Sequence, residues 1–512
     1  MGQRRIVVRI TALQGLHYGR DRRILGMEAL KIGDGNLLTA ARKLFSVRRM
    51  VPEKQIIGEI PTSKEIYQNL TRVALPSVIE MVFMSLIGAV DVVMIAPLGY
   101  EAVAAVGLAG QPRMLMLSLF FALNVGVTAI VARRKGENRP QEANLALRNA
   151  LVFILLMTFV VMTGALRFSR NLMQLAGAQA DTINMSETYF RILAFFLPVN
   201  VMTMCINAAQ RGIGNTRTTM YVNLISNMVN VVFNYLMIYG KGGFPAMGVA
   251  GAAWATGVGI CAGFVLCIYA LVSKRNADQF LRLSWHDNWR LHRETMKSIL
   301  KVGGNAMVEQ VVVRVGFFAY AAIVASLGTQ AFAAHQVGMQ FLNISFTFGD
   351  GIAVAGTSLV GQMLGAKRPD MATIYGKSSQ RLAMIASVVL ASTFALLRQP
   401  LVSIFLNPAL PENAVPFAMA LDVMMMVALF QLVQTSSVVI SGCLRGAGDN
   451  LYVALVMLIC VGGIRPILSL FAVHVLNIGL VGTWSASLLD MCIRLLLVYR
   501  RFSSGRWQSI KI

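Results

Sequence analysis

The sequence predicts an all-α polytopic membrane protein, with twelve transmembrane helices in two six-helix lobes related by a pseudo-twofold along the membrane normal. Three observations predict it. The 512 residues are 56% hydrophobic and only 13% charged, with a mean hydropathy of +0.63, more apolar surface than a soluble core can hide. The apolar residues gather into twelve runs of spanning length. The second six runs repeat the first.

Residues 1 to about 62 hold twelve Lys or Arg against five Asp or Glu and no apolar run long enough to span. This reads as a basic cytoplasmic extension rather than a signal peptide, with Met27 and Met50 as alternative starts. The spans then fall at about 68–97, 104–132, 145–166, 186–210, 218–240, 248–273, 297–326, 332–363, 379–397, 413–442, 451–473 and 479–499. An even count puts both termini on one side, and lysine and arginine decide which. ARRKGENRP (132–140), QRGIGNTR (210–217), GAKRPD (365–370), the tail YRRFSSGR and the seven basic residues of 274–301 lie on the terminal side, against Arg167, Arg170, Lys241 and Arg398 opposite. The positive-inside rule places both termini in the cytoplasm. The net charge of +23 is thereby explained without nucleic acid. The six cysteines fall singly in apolar runs and read as small buried hydrophobes.

Shifted by 229 positions, Arg72, Glu80, Leu98-Gly99, Gly136 and Pro140 fall on Lys301, Glu309, Leu327-Gly328, Gly365 and Pro369. Shifted by 231 to 234, Gly248-x-x-Gly251 falls on Gly479-x-x-Gly482, Thr256 on Ser487, and Arg211-Gly212-x-Gly214-Asn215 on Arg445-Gly446-x-Gly448-Asp449. A duplicated six-helix unit gives two lobes of the same orientation, the usual architecture of an alternating-access transporter. The expected division is 1–64 as extension, 65–273 as N-terminal lobe, 274–296 as inter-lobe linker, 297–500 as C-terminal lobe and 501–512 as cytoplasmic tail.

Polar residues at membrane depth are costly and mark function or pairing. The first span, LPSVIEMVFMSLIGAVDVVMIAPLG (75–99), carries Pro76, Glu80 and Asp91. In the fifth, Asn223, Asn227, Asn230 and Asn234 follow at steps of four, three and four and share one helical face. The outward pair, Asn230 and Asn234, is expected to meet Asp91 and the hydroxyl of Thr256 around a proton or a sodium ion. Sodium wants several oxygen ligands, whereas a proton needs one carboxylate. Glu80 reads equally as ion site, lobe scaffold or cavity wall, because Glu309 repeats it. Glu309 has Arg314 five residues on as a candidate partner, and Tyr320 stands at the repeat position of Asp91, so that carboxylate belongs to one lobe only. Asp350, Asp422, Asp490, Arg113, Arg465 and Arg494 are further charged residues in the spans whose pairing the sequence leaves open. There is no GxxxxGK[ST] loop, no paired acids for a metal-diphosphate and no histidine cluster, so an enzyme is not expected.

These residues together resemble the multidrug and toxin extrusion (MATE) family over about 65–500. Its carriers are LPSVIEM with AVDVVMIAPLG, ARRKGENRP and GQMLGAKRPD, AAQRGIGNTR with the Asn-rich span, GVAGAAWATGVG, FAAHQVGMQ, GIAVAGTSLVGQMLGAK and CLRGAGDN. The resemblance implies that Asp91 is the first-helix cation-coupling aspartate, Pro76 the proline where that helix bends, Asn230 its partner and Thr256 the sixth-helix hydroxyl. Asn234 departs from the pattern, since many members have Asp there; losing that charge weakens a sodium cage more than a proton relay. Glu309 is similar to a seventh-helix acid used by some sodium-coupled members.

The expected function is a cation-coupled antiporter, H+ or Na+, exporting amphipathic, mostly cationic drugs from a bacterial-type plasma membrane. It is expected to act as a monomer without cofactor beyond the coupling ion, its partners being a small-molecule substrate and the bilayer. The rivals are a flippase for a lipid-linked or amphipathic anionic substrate, suggested by Arg113, Arg314, Arg465 and Arg494, and, more remotely, a membrane-embedded transferase.

Overall fold

Helix-stop chemistry sets the element boundaries of the chain. The computed structural model describes residues 45–272, 280–284, 287 and 289–510; the basic extension up to residue 44 and part of the linker lie outside the described residues. Twelve long helical stretches carry the fold. They are α1 Ser63–Ile95, α2 Tyr100–Gly136, α3 Pro140–Arg167, α4 formed by Ile183–Phe195 and Leu197–Gly212, α5 Thr216–Tyr239 and α6 Gly248–Val272, followed by α7 Arg293–Ala325, α8 Thr329–Gly365, α9 Pro369–Leu396, α10 Ala414–Gly446, α11 Asn450–His474 and α12 Gly479–Ser503. Eleven pass the length and hydropathy test as single helices, and α4 makes the twelfth if its two bent halves count as one span. Among the described residues there is no strand.

The helices match the expected spans closely at one end and overrun them by up to ten residues at the end bearing the termini, where α9 begins at Pro369 rather than 379. Hydropathy marks where apolar surface stops, whereas hydrogen bonding and caps mark where a helix stops. Thr62 and Glu65 form a reciprocal capping box on α1, Thr62 N donating to Glu65 Oε2 at 2.8 Å and Glu65 N to Thr62 Oγ1 at 3.3 Å. Pro140 and Pro369 open α3 and α9 where no backbone donor is needed. Within α4, a 52° break at Phe196 splits what reads as one span. Pro198, in the first turn after the break, lacks an N–H, and Gly257 of α6 leaves the space that the Phe196 ring fills. In α11 the stretch Leu458–Ile464 winds as a π-helix just before Arg465 and Pro466.

The duplication is written into the backbone. Asn138 and Lys367, 229 apart, are two of the three non-glycine residues described with positive φ, at 54° and 57°. Gly99 and Gly328 match at 106° and 101°, Gly214 and Gly448 at 82° and 89°, and Gly248 and Gly479 at 54° and 64°. Asn138 and Lys367 differ in side chain yet share this backbone turn, so the turn itself is kept by the repeat.

The described residues from Val47 onward form one compact unit. Within this unit the lobes meet by reciprocal contacts: α1 packs on α8, its repeat relation α7 packs on α2, and α2 meets α8. Glycines permit this approach. A Cβ on Gly136 would collide with the carbonyl oxygen of Gln362, and one on Gly365 with that of Arg133, the repeat mate of Gln362. Polar contacts cross here too: Ser358 Oγ and Gln362 Nε2 donate to the Gly212 carbonyl at 3.1 and 2.9 Å, and Asn69 Nδ2 donates to the Tyr375 hydroxyl at 2.9 Å. Val47, Met50 and Val51 join Ile66, Leu70, Met371 and Tyr375 in a buried cluster. After α12, Trp507 stacks on Phe502 at 4.9 Å, and Arg133 Nη2 donates to the Ile510 carbonyl at 2.8 Å. All these contacts lie toward the end bearing the termini.

Gly365→Leu is expected to lower the melting midpoint of the detergent-solubilised protein, overpacking of this kind costing about 1–3 kcal/mol. Gly304→Leu, where a Cβ meets open space, is the control and should leave the midpoint near its original value in the same thermal scan.

Candidate functional site

A carboxylate can stay at membrane depth only if partners replace its hydration. In the N-terminal lobe two carboxylates sit on α1 eleven residues apart, about 16 Å along the helix axis, and α5 supplies partners to both. Near the terminal end, buried Glu80 accepts from Asn223 Nδ2 at 2.6 Å, Thr219 Oγ1 at 2.8 Å and Arg211 Nη1 at 3.2 Å. Farther out, Asp91 Oδ1 accepts from Asn234 Nδ2 at 2.7 Å. With the Asn230 amide in its better-satisfied orientation, its nitrogen also donates to Asp91 Oδ1 at 3.0 Å, while its oxygen accepts from the Thr256 backbone N–H and hydroxyl, both at 3.2 Å. Asn230 and Asn234 are buried. Asp91, Asn230, Asn234 and Thr256 are therefore brought together, as expected. Arg113 of α2 is near enough for its charge to act on Asp91.

The asparagine spacing explains why one helix can serve two sites. Steps of four and three keep Asn223, Asn227, Asn230 and Asn234 on the face of α5 that packs against α1 and α6. Asn227 links them along the helix by donating to the Asn223 carbonyl at 2.7 Å. Pro76 lies in α1 well before Asp91, and the helix runs continuously through it. Next to it, the Val73 carbonyl accepts from the Thr216 and Ser77 hydroxyls at 2.8 and 3.3 Å.

The C-terminal lobe repeats the inner site and changes the outer one. Buried Glu309 pairs with Arg445, whose Nη2 and Nε both approach the carboxylate. The partner is thus not Arg314, which is exposed on α7; five residues along a helix turn two side chains to different faces. Arg211 and Arg445, which stand in the sequence as repeat anchors, are the residues that pair with these two glutamates. Their signal was available, since each opens an Arg-Gly-x-Gly turn and sits 131 or 136 positions from a glutamate that the repeat also matches. Asp350 lies beside Arg445. Asp490 receives Arg465 Nη2 at 2.7 Å, Arg465 Nε at 3.0 Å and Arg494 Nη2 at 3.5 Å. Tyr320, at the repeat position of Asp91, is buried against His335, their rings 5.4 Å apart.

Among known proteins, the MatE family model matches residues 76–236 and again 306–471, one match to each half of the repeat. The chain belongs to the MATE family. It is 29% identical over 455 residues to a probable multidrug resistance protein NorM of Thermotoga maritima, covering 88% of this chain and 94% of the relative. The fold superposes on an outward-facing multidrug resistance MATE family transporter at a TM-score of 0.78 and 21% identity, covering 86% and 96% of the two chains. It also matches a MATE described as in the straight conformation, at 0.79 and 20% identity over 86% and 97%. MATE proteins are transporters and not enzymes, so this chain is a multi-pass membrane transporter of a multidrug-efflux family, with a small molecule as its substrate.

Breaking the Glu80–Arg211 pair should be costly because it strands a buried charge. Arg211→Met is expected to destabilise the protein by about 3–5 kcal/mol, and Glu80→Leu combined with Arg211→Met to recover most of it. Melting midpoints of the single and double variants in one detergent check this.

Proposed function

We propose that this MATE transporter is a proton-coupled antiporter that exports amphipathic, mostly cationic compounds by alternating access. The observation that carries the reading is the donor set around Asp91. Asn234 Nδ2 donates to Oδ1 at 2.7 Å, and the Asn230 amide does so at 3.0 Å in its better-satisfied orientation, which is how a site stabilises a lone carboxylate. A sodium cage at Asp91, Asn230, Asn234 and Thr256 would need Asn234 to reverse and both amides to present oxygen. Proton arrival removes the negative charge that these donors serve, so it loosens α1 from α5. Pro76 gives α1 a weak point at which to bend, because it supplies no backbone donor to the preceding turn.

The lobe-to-lobe hydrogen bonds among the described residues cluster at the end bearing the termini. With both termini in the cytoplasm of a bacterial-type cell, this state would open outward, the arrangement in which a proton reaches Asp91 from outside. Substrate would load from the cytoplasm or inner leaflet after the lobes rock. The flippase alternative draws on four arginines, and two of them, Arg465 and Arg494, are held on Asp490. That leaves the acidic N-terminal site as the better match, and a cationic substrate as the better complement.

Asp91→Asn is expected to abolish efflux of a cationic dye from loaded vesicles under an imposed proton gradient, with expression and monodispersity retained. Undiminished efflux would sink the proposal. Wild-type efflux driven by a sodium gradient alone would transfer the coupling to sodium at the same residues.

A further inference from the structure

The outer site of the C-terminal lobe has the opposite electrical character to its mate. Where α1 places Asp91, α7 places Tyr320; where α6 places Thr256, α12 places Ser487. From α11, which repeats α5, the side chain in this region is not an asparagine but Arg465, with its guanidinium 5.7 Å from the Tyr320 ring centre and 4.9 Å from that of Phe317. A small cavity is lined by Tyr320, Arg465, Trp484 and Ser487 among apolar neighbours that include Phe317 and Phe430. None of its lining residues is acidic. The space open to the centre of a water-sized body is about 10 Å3, which admits a single small occupant without its hydration shell.

Two features of this cavity ask for an anion. First, its donors are unused. The indole N–H of Trp484 and the hydroxyl of Ser487 are buried without a hydrogen-bond partner. The Tyr320 hydroxyl lies beside Ser487 and Thr483 but meets neither in hydrogen-bonding geometry. Second, the charge does not balance. Arg465 and Arg494, 3% and 5% exposed, share the single carboxylate of Asp490 through one oxygen, Oδ2. Glu309 is taken by Arg445, and Asp350 sits beside that same arginine and is exposed. Asp490 Oδ1 is also without a partner, but Asp490 does not line the cavity. A water molecule would satisfy the donors and leave the surplus positive charge; an anion satisfies both.

We propose that the C-terminal lobe binds one small monovalent anion, of halide size, between Arg465, Tyr320, Trp484 and Ser487. The two outer sites are then a complementary pair, cation-handling in the first lobe and anion-holding in the second. The bound anion adds Tyr320 of α7 and Trp484 and Ser487 of α12 to the tie that Arg465 and Asp490 already make between α11 and α12.

The test is thermal unfolding of the full-length purified protein as chloride replaces gluconate at constant ionic strength. A saturable rise in melting midpoint is expected, absent in Arg465→Gln and retained in Asp91→Asn, and bromide-soaked crystals should give an anomalous peak beside Arg465. If Arg465→Gln cannot be purified, Trp484→Phe combined with Ser487→Ala carries the test and should weaken the halide midpoint concentration at least several-fold. Equal midpoints in chloride and gluconate, or an unaltered chloride response in these variants, would overturn the proposal.

Discussion

Removing a carboxylate from water costs several kcal/mol unless other groups take over its hydration, and much of the polar architecture of this bundle is a response to that cost. Glu80 receives three donors, Glu309 a guanidinium, Asp490 two guanidinium groups, and Asp91 two amides. The distinction among them is the kind of partner. Glu80, Glu309 and Asp490 are each neutralised by arginine and so act as fixed struts between helices. Asp91 makes no ion pair among the described residues and is solvated by amides, with the Arg113 charge nearby, so it is the carboxylate left for the proposed coupling cation.

The repeat turns this chemistry into a machine with unequal halves. Glu80 with Arg211 and Glu309 with Arg445 occupy related places near the end where the lobes touch, so both lobes are braced in the same manner there. Above that layer the halves diverge, with Asp91 and two asparagines on one side and Tyr320 with Arg465 on the other. In the proposed alternating-access cycle, symmetry would serve the rocking of two similar bodies. Asymmetry would serve the proposed coupling, since an ion acting on one lobe alone changes the balance between them.

Backbone contact explains how tightly the lobes can approach at the terminal end. Helices that meet through glycine bring peptide groups together, as Gly136 and Gly365 do with Gln362 and Arg133. Such contacts are shape-specific and lack long side chains that could adapt. They are therefore suited to forming and breaking as units, in keeping with the proposed movement of the lobes as bodies.

The sequence by itself determined the membrane class, the twelve spans, the duplication and the group of Asp91, Asn230, Asn234 and Thr256, because hydropathy, spacing along a helix and repeat offsets are properties of a one-dimensional string. It left three things open that only the tertiary structure decided. The partners of Glu80 and Glu309 come from helices far along the chain, and local spacing pointed to Arg314 where packing supplies Arg445. The seat of the Phe196 ring, at the break in α4, lies in the room that Gly257 leaves on another helix. The gathering of Tyr320, Arg465 and Ser487 around one cavity joins three helices whose contact no periodicity encodes. Each concerns which faces meet, and that is settled by the packing of twelve helices together rather than by any one of them.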